Sequence, residues 1–206
     1  MKKTQLLILL LLMANLSFAQ EKAMENPDNF LRKLIQVSKE TKSIEAFFEQ
    51  EKSVSYLKEN IITYGKFYTQ NGNMRWEQTN PYSYIMLLSE SGIQVKDDGE
   101  EKQYGAMADK FIGHIRTILL SSVNADFTKN KDFFPSYFED NKRLIVKLIP
   151  RSRRLSKMFK GIHLRFDKKT FRLKTLTFVL EEGNSIITFF DEKFNKTLEP
   201  SLFSDF

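Results

Sequence analysis

Few residues of this chain could carry out catalysis. The sequence contains two histidines, His114 and His163, and no cysteine. His114 falls among apolar residues of a helical pattern, and His163 alternates with Ile162 and Leu164 in a strand pattern. Both settings favour a structural role for the imidazole over a catalytic one. Without cysteine there is no thiol nucleophile, disulfide or thiolate metal site. No G-x-S-x-G, H-E-x-x-H or glycine-rich phosphate loop occurs. We therefore predict a protein that is not an enzyme and uses no cofactor.

One acidic group could in principle bind a cation. Asp97, Asp98, Glu100 and Glu101 surround Gly99, and carboxylates are the ligands that Ca²⁺ prefers. Their spacing lacks the alternating oxygen ligands of calcium loops, whereas Asp-Gly is a strong turn signal. The pattern favours a solvated hairpin turn, and we predict no metal site.

A second charged group is basic. It consists of Arg151, Arg153, Arg154, Lys157 and Lys160. A solvated helix or loop face is the favoured interpretation. Contact with an acidic partner or with anionic lipid headgroups is the alternative. A nucleic-acid site would need a longer basic stripe with aromatic side chains to stack on, so we predict no nucleic-acid partner.

Apolar side chains offer more than the polar ones. The chain has 19 phenylalanines in 206 residues, and several large side chains recur at alternate positions of successive predicted strands. Such residues share one face of a sheet. Methionine and aromatic side chains adapt to flexible apolar guests, although an ordinary core explains each single residue equally well. The residues of this set are Phe48, Phe67, Met74, Trp76, Met86 and Leu88.

The N-terminus has the pattern of a secretory signal peptide. Lys2 and Lys3 precede an apolar run over residues 6–13 and the small-residue sequence Ser17-Phe18-Ala19. Asn15 interrupts the run before it reaches the length of about 20 residues that a membrane span needs. We predict cleavage after Ala19, and a single mature domain over residues 20–206. The absence of a cysteine for lipidation predicts that this domain is soluble in the periplasm.

The mature chain reads as a helix followed mainly by strands. Helical spacing of apolar residues predicts a helix from Asp28, as its N-cap, to residues 39–42, and a second helix over residues 107–121. Eleven segments have strand patterns, and Asn71-Gly72 marks one of the hairpins between them. The predicted strands are 43–49, 62–69, 74–79, 82–89, 92–96, 102–105, 134–138, 144–149, 162–166, 171–180 and 185–190.

Short connections between these strands predict an antiparallel sheet, because a parallel crossover needs a dozen or more residues. Two or three helices cannot cover the apolar face of so many strands if the sheet is flat. We therefore predict an α+β fold in which a strongly curved antiparallel sheet of about 10–11 strands forms an unclosed barrel, with the helices as a lid. Ligands of β-barrels usually bind in such an enclosed space.

Over nearly the whole mature chain, the sequence resembles the LolA-like periplasmic carriers of outer-membrane lipoproteins. The segments that carry the resemblance are Ala46-Phe47-Phe48-Glu49-Gln50, Tyr64-Gly65-Lys66-Phe67, Gly72-Asn73-Met74-Arg75-Trp76-Glu77 with Pro81 after it, Ile162-His163-Leu164-Arg165-Phe166-Asp167, and Gly183-Asn184. The resemblance implies an unclosed barrel whose apolar interior receives the acyl chains of lipoproteins. It also implies partners: lipid-modified proteins as cargo, an inner-membrane ABC-type release complex, and in many cases a LolB-type acceptor at the outer membrane.

From these inferences we predict a monomeric carrier with an acyl-binding surface. Its predicted residues are Phe48, Phe67, Met74, Trp76, Met86, Leu88, Phe111, Ile115, Leu119, Leu164 and Phe178. The alternatives are a binder or sensor of another lipid or glycolipid, an enzyme on the same scaffold, and a structural interaction protein.

Two segments depart from the family. Gln70-Asn71 stands where an Arg-Pro often ties the lid shut, and Gln94-Val95-Lys96 replaces a strand that is usually aromatic.

Overall fold

The computed structural model describes residues 21–89, 92–102, 118, 127 and 130–206. Within them lie twelve strands, two α-helices and one 3-10 helix. The strands are β1 (Lys22–Ala23), β2 (Ser43–Lys52), β3 (Ile61–Gln70), β4 (Asn73–Asn80), β5 (Tyr84–Ser89), β6 (Gly92–Asp97), β7 (Glu100–Lys102), β8 (Phe133–Glu139), β9 (Arg143–Pro150), β10 (Gly161–Asp167), β11 (Leu173–Leu180) and β12 (Gly183–Phe194). The helices are α1 (Pro27–Lys39), α2 (Arg153–Ser156) and the 3-10 helix Pro200–Phe203.

All twelve strands form one curved, unclosed antiparallel sheet, in the order β1-β8-β9-β10-β11-β12-β2-β3-β4-β5-β6-β7. The predicted fold class is confirmed. In the centre of the sheet β12 pairs with β2, so that Phe189 lies opposite Phe48. This pairing joins the N-terminal and C-terminal halves of the chain in one sheet.

The alternation of side chains explains why these segments are strands. In β2, Ala46 and Phe48 are buried in the main core and Ile44 packs against it, while the residues between them face outward. The predicted Asn-Gly hairpin between β3 and β4 is confirmed. Asn71 and Gly72 adopt φ of 53° and 79°, the left-handed values that a two-residue turn of this type requires.

The core lies on the concave side of the sheet. Its members come from β2 to β6, from β8 to β12 and from α1, whose Phe30 and Leu34 are buried in it. Ile118, in helical conformation, and Phe127 also join it. A smaller cluster on the convex side packs Leu198 and Phe203 of the C-terminal segment against Tyr68 of β3.

Several predicted boundaries differ from the structure. Asp28 is not the N-cap of α1: Asn26 caps it by accepting a hydrogen bond from the amide of Asn29 at 3.3 Å. Pro27 disfavours helical geometry in the residue before it and occupies the first helical position itself, which moves the cap to Asn26. Phe171 precedes β11 instead of starting it, because its φ of 56° is incompatible with a strand.

The described residues form twelve strands, against a predicted number of about 10–11. The additional strand, β1, has two residues that pair with the end of β8, too few for an alternation pattern. Strand β7 begins at Glu100, directly after the turn at Asp98 and Gly99, which adopt φ of 48° and 84°. No helix among the described residues is long and apolar enough to cross a membrane. The predicted signal peptide and, apart from Ile118, the predicted helix 107–121 lie outside the described residues.

Candidate functional site

The concave face brings the predicted site residues together. Trp76 lies between Phe67 and Met86 in the register of neighbouring strands, and Met74 lies opposite Leu88. Each predicted residue that the structure describes is at most 7% exposed: Phe48, Phe67, Met74, Trp76, Met86, Leu88, Leu164 and Phe178. All eight belong to one apolar core cluster. Phe111, Ile115 and Leu119 lie outside the described residues.

Aromatic rings fill the middle of this face. The rings of Phe48 and Trp76 are stacked, with centroids 3.7 Å apart, and Phe67 meets the indole edge-on at 6.3 Å. Phe67 also contacts Phe189, with centroids 5.5 Å apart. Gly65 leaves room for this arrangement, since a Cβ at that position would lie 2.5 Å from Cζ of Phe48. These residues are therefore packed against one another in this state of the protein. That they contact an acyl chain stays a prediction.

Helix α1 covers one end of the concave face. Its Phe30 packs against Phe166 of β10 and stacks on Phe171, at centroid distances of 5.8 and 6.4 Å. Leu34 is 2% exposed, and the ammonium group of Lys33 lies 5.4 Å from the centre of the Phe171 ring. The ring of Phe171 therefore contacts two residues of α1, Phe30 and Lys33.

Two cavities lie between α1 and the sheet, and Phe171 lines both. The smaller, about 40 Å³, lies under the C-terminal half of the helix, with Leu34, Val37, Ser38, Ile44, Ala46, Phe67, Phe166, Leu173, Phe189 and Phe194 among its other lining residues. It has room for about one water molecule. The larger, about 280 Å³, lies by the N-terminal half, beside Met24, Asn29, Phe30, Leu144 and Lys168. Its volume is near the lower end of the range for small-molecule sites.

The rim of the larger cavity is charged. Glu139 forms ion pairs with Lys168 at 2.6 Å and with Lys22 at 3.2 Å. Hydrogen bonds from these two ammonium groups hold the pKa of the Glu139 carboxyl below its ordinary value. The larger cavity therefore combines apolar side chains, such as Phe30 and Leu144, with charged side chains of both signs.

The loop between β10 and β11 fastens α1 to the sheet. Nη1 of Arg172 donates a hydrogen bond to the hydroxyl of Thr41, and that hydroxyl donates to the carbonyl oxygen of Val37 at 2.7 Å, in the last turn of α1. The guanidinium of Arg172 also lies 3.9 Å from the ring centre of Phe194 in β12. Burial lowers the pKa of Arg172, although an arginine stays charged at neutral pH.

Sequence reasoning missed this latch, which consists of Phe171 and Arg172. The available signal was an aromatic-basic pair directly after the turn Asp167-Lys168-Lys169-Thr170. Phe171 holds a positive φ of 56°, which is uncommon for a bulky residue and costs of the order of 1–3 kcal/mol. Contacts on both sides of the loop keep the residue in that conformation.

Gln70, which the sequence resemblance places where an arginine would tie the lid shut, holds a different part of the chain. Its side-chain oxygen accepts a hydrogen bond from the amide of Leu198 at 3.1 Å, and its side-chain nitrogen donates to the carbonyl of Leu198 at 3.3 Å. Arg75 donates to the carbonyls of Leu202 and Asp205 at 3.2 and 2.6 Å. This hairpin therefore secures the C-terminal segment on the convex side.

The polar candidates do not assemble a catalytic site within the described residues. His163 is half-buried and lies opposite Lys147 and Thr177 in neighbouring strands. Burial, and then the charges of Arg165 and Lys147, lower its pKa. The acidic residues 97–101 form the β6–β7 turn, where Glu100 pairs with Lys102 at 2.5 Å. In the described part of the chain no three His, Asp or Glu side chains are grouped as metal ligands. His114 lies outside it.

Comparison with known proteins gives one family. The model described as "Outer membrane lipoprotein carrier protein LolA" matches residues 39–205, a segment that begins at the end of α1 and contains β2 to β12. No curated protein sequence matches.

The solved structures that match this chain are distant in sequence. A LolA superfamily protein from Nitrosomonas europaea is 12% identical, with a TM-score of 0.44 over 85% of this chain and 96% of that chain. The lipoprotein LppX from Mycobacterium tuberculosis is 11% identical, with a TM-score of 0.46 over 83% and 96%. A putative outer membrane lipoprotein-sorting protein domain from Vibrio parahaemolyticus is 8% identical, with a TM-score of 0.36 over 86% and 97%.

Proposed function

The chain belongs to the LolA family of outer membrane lipoprotein carrier proteins, and on this premise we propose that it is a periplasmic carrier of lipoproteins. It binds their acyl chains in an apolar cavity on the concave face and shuttles them from the inner to the outer membrane. The family match over residues 39–205 carries this proposal. The continuous apolar lining of the concave face supports it.

The physical requirement of such a task agrees with this face. An acyl chain gains about 0.8 kcal/mol for each CH₂ group that leaves water, so one lipid-modified cargo needs a large apolar surface around it. A carrier has to release its cargo as well as bind it, and adaptable apolar contacts allow both.

We propose that the described structure is the empty, closed state. The cavities under α1 are too small for a full acyl chain, so α1 moves away from the sheet when cargo enters. Phe171 separates from Phe30, and the two cavities merge. Side chains deeper in the face, such as Phe67 and Trp76, then become accessible. A protein that alternates between two such states binds only in the open one, and cargo shifts the population towards it.

The remaining parts of the proposal concern export of the protein and its partners in the two membranes. Residues 1–19 direct export and are removed, and the mature domain acts as a soluble monomer without catalysis. It receives cargo from an ABC-type complex in the inner membrane and delivers it at the outer membrane, directly or to an acceptor protein.

Binding of a fluorescent fatty-acyl probe tests the proposal. The informative variant is Ser38→Phe, because Ser38 lines the smaller cavity on α1 and a phenyl ring there obstructs the space. The matched control is Gln36→Phe, which adds the same ring to an exposed position of the same helix. We expect saturable binding by the unmodified protein, about tenfold weaker binding by Ser38→Phe, and unchanged binding by Gln36→Phe.

Two results would contradict the proposal: no saturable binding by the unmodified protein, or equal binding by both variants. Mass spectrometry of lipids that co-purify from the periplasm identifies the cargo. Lipoprotein acyl groups are expected, whereas a glycolipid as the only guest would point to a binder of other lipids on the same scaffold.

A further inference from the structure

The segment between β9 and β10 carries exposed basic side chains and is anchored in the core by two buried side chains. The hydroxyl of Ser152 accepts a hydrogen bond from the amide of Leu155 at 3.2 Å and caps α2. Leu155 and Phe159 are buried in the main core, at 5% and 1% exposure. Because these two side chains anchor the segment, the charged residues between and beside them are directed into solvent.

An exposed apolar pair adjoins these cations. Phe134 of β8 lies directly opposite Ile149 of β9, and each is 53% exposed. The guanidinium of Arg151 lies 3.8 Å from the ring centre of Phe134, and its Nε donates to the carbonyl oxygen of Phe133 at 3.0 Å. We call Phe134, Ile149, Arg151, Arg153, Arg154 and Lys157 the basic apolar patch.

The charge of this patch is largely uncompensated. Arg153, Arg154 and Lys157 are exposed and form no ion pair with any described residue. Lys160, at the border of the patch, is neutralised by an ion pair with Glu181. Asp132 is an exposed acidic neighbour whose backbone carbonyl accepts from the amide of Arg151 at 2.8 Å. Among the described residues, none of the four cations of the patch forms an ion pair with a carboxylate.

We propose that the basic apolar patch docks the protein onto an anionic phospholipid surface. Such a surface offers phosphate groups for cations and, just below them, an apolar boundary for a phenyl ring and an isoleucine side chain. An acidic polypeptide would satisfy the cations but would leave Phe134 and Ile149 without apolar contacts. The combination of both chemistries in one patch favours the bilayer.

Docking through the patch is compatible with the proposed carrier role, but the docking proposal does not depend on that role. The patch lies at the end of β8 and β9 that contains Phe133 and Pro150, whereas the larger cavity under α1 meets these strands at Glu139 and Leu144, their other end. A protein docked through the patch keeps α1 away from the bilayer surface.

Co-sedimentation with vesicles tests this docking, using the processed protein purified from the envelope of an expressing cell. Vesicles of phosphatidylcholine alone are compared with vesicles containing phosphatidylglycerol, at low and at physiological salt. The charge variant carries Arg153→Glu, Arg154→Glu and Lys157→Glu. The apolar variant carries Phe134→Ser and Ile149→Ser. The matched charge control carries Lys142→Glu, Arg143→Glu and Lys169→Glu, three exposed cations at the opposite end of the strands.

We expect the unmodified protein to bind the anionic vesicles and to bind less as salt rises, since exposed charges are screened. Each basic residue near an anionic surface contributes appreciably to binding, so the charge variant should bind roughly 100-fold more weakly. The apolar variant should bind about tenfold more weakly, and the charge control should lose at most about threefold.

Equal binding by the charge variant and its control overturns the proposal. So does the absence of vesicle binding together with patch-dependent binding to polyglutamate, which would identify an acidic protein as the partner. Binding of the fatty-acyl probe is measured on the same variants. A variant that loses vesicle binding and keeps probe binding, or the reverse, shows that the two activities are separate. Each measurement then decides only its own proposal.

Discussion

The ring of Phe48 stacks on the indole of Trp76, with centroids 3.7 Å apart, across the bare backbone of Gly65. Gly65 is the register partner of Phe48 in β3. A methyl group at Gly65 would lie 2.5 Å from Cζ of Phe48 and would overlap the carbonyl oxygen of Glu77. The close packing of the concave face therefore requires glycine at this position.

We predict that Gly65→Ala destabilises the protein by about 1–3 kcal/mol, because overpacking a filled core forces side chains and backbone to shift. The control is Gly161→Ala, where the nearest atom to the added methyl is 3.7 Å away and a change of less than about 1 kcal/mol is expected. Urea unfolding measures both, with the fluorescence of Trp76, the one tryptophan of the chain, as the signal. Equal midpoints for the two variants would refute the prediction.

A second prediction concerns the latch. Arg172→Gln removes the guanidinium that bonds to Thr41 and lies over Phe194. We expect the amides of α1 to exchange hydrogen about tenfold faster, since local opening depends on the contacts that hold an element to the rest of the fold. Amides of β9 and β10 should change much less.

Arg32→Gln is the matched control for the latch, because Arg32 is an exposed arginine on α1 itself. Hydrogen exchange followed by mass spectrometry separates the two. The latch interpretation is wrong if both variants leave the exchange of α1 unchanged, or if Arg172→Gln accelerates exchange throughout the sheet.

The pattern of side chains along the sequence was sufficient for most of the sheet. Period-two alternation around Ala46 and Phe48, and turn chemistry at Asn71-Gly72, are local signals that the structure confirms. The pairing of β12 with β2 joins residues far apart in the chain, and no local pattern specifies it. It was not among the predictions made from the sequence.

The latch and the cavities were harder to predict because they depend on how separate elements meet. Phe171 looked like the first residue of a strand, since an aromatic residue before alternating apolar positions favours that state. Its positive φ arises from the turn before it and from its contacts with α1. Likewise, Phe48 and Trp76 could be assigned to one face from alternation alone, whereas the distance between their rings depends on the register across β3 and on Gly65.

A third prediction concerns pH. Burial holds the pKa of His163 below its ordinary value of about 6.5, so the unfolded chain binds this proton more readily than the folded protein does. Stability contributed by neutral His163 is therefore fully present above about pH 6.5 and is lost as pH falls towards the pKa of the folded state. His163→Gln should flatten the pH dependence of the urea midpoint in this range.

The pH experiment has a built-in comparison at more acidic pH. A hydrogen bond from Lys147 is the main cause that lowers the pKa of Glu21, so the stability that Glu21 contributes is lost only below the ordinary carboxyl range. The His163→Gln variant should still show the loss of stability at acidic pH that protonation of Glu21 causes. A midpoint that still falls between pH 7 and 5 as it does in the unmodified protein would show that another group is responsible.

The last prediction separates Gln70 from the lid. The sequence resemblance implies a residue that ties the lid shut at this position, but here the side-chain amide of Gln70 bonds to both backbone groups of Leu198. Gln70→Ala should therefore release the C-terminal segment and leave α1 undisturbed. We expect carboxypeptidase to remove residues after Leu198 several times faster, because their attachment to the convex face is weakened, while the hydrogen exchange of α1 stays within about twofold of the unmodified protein.

Arg75→Met should have the same effect more strongly, since the guanidinium of Arg75 bonds to the carbonyls of Leu202 and Asp205. A carbonyl that loses a charged donor loses one of the stronger kinds of hydrogen bond. Faster exchange of α1 in Gln70→Ala would show instead that the family latch survives at this position in a different chemical form.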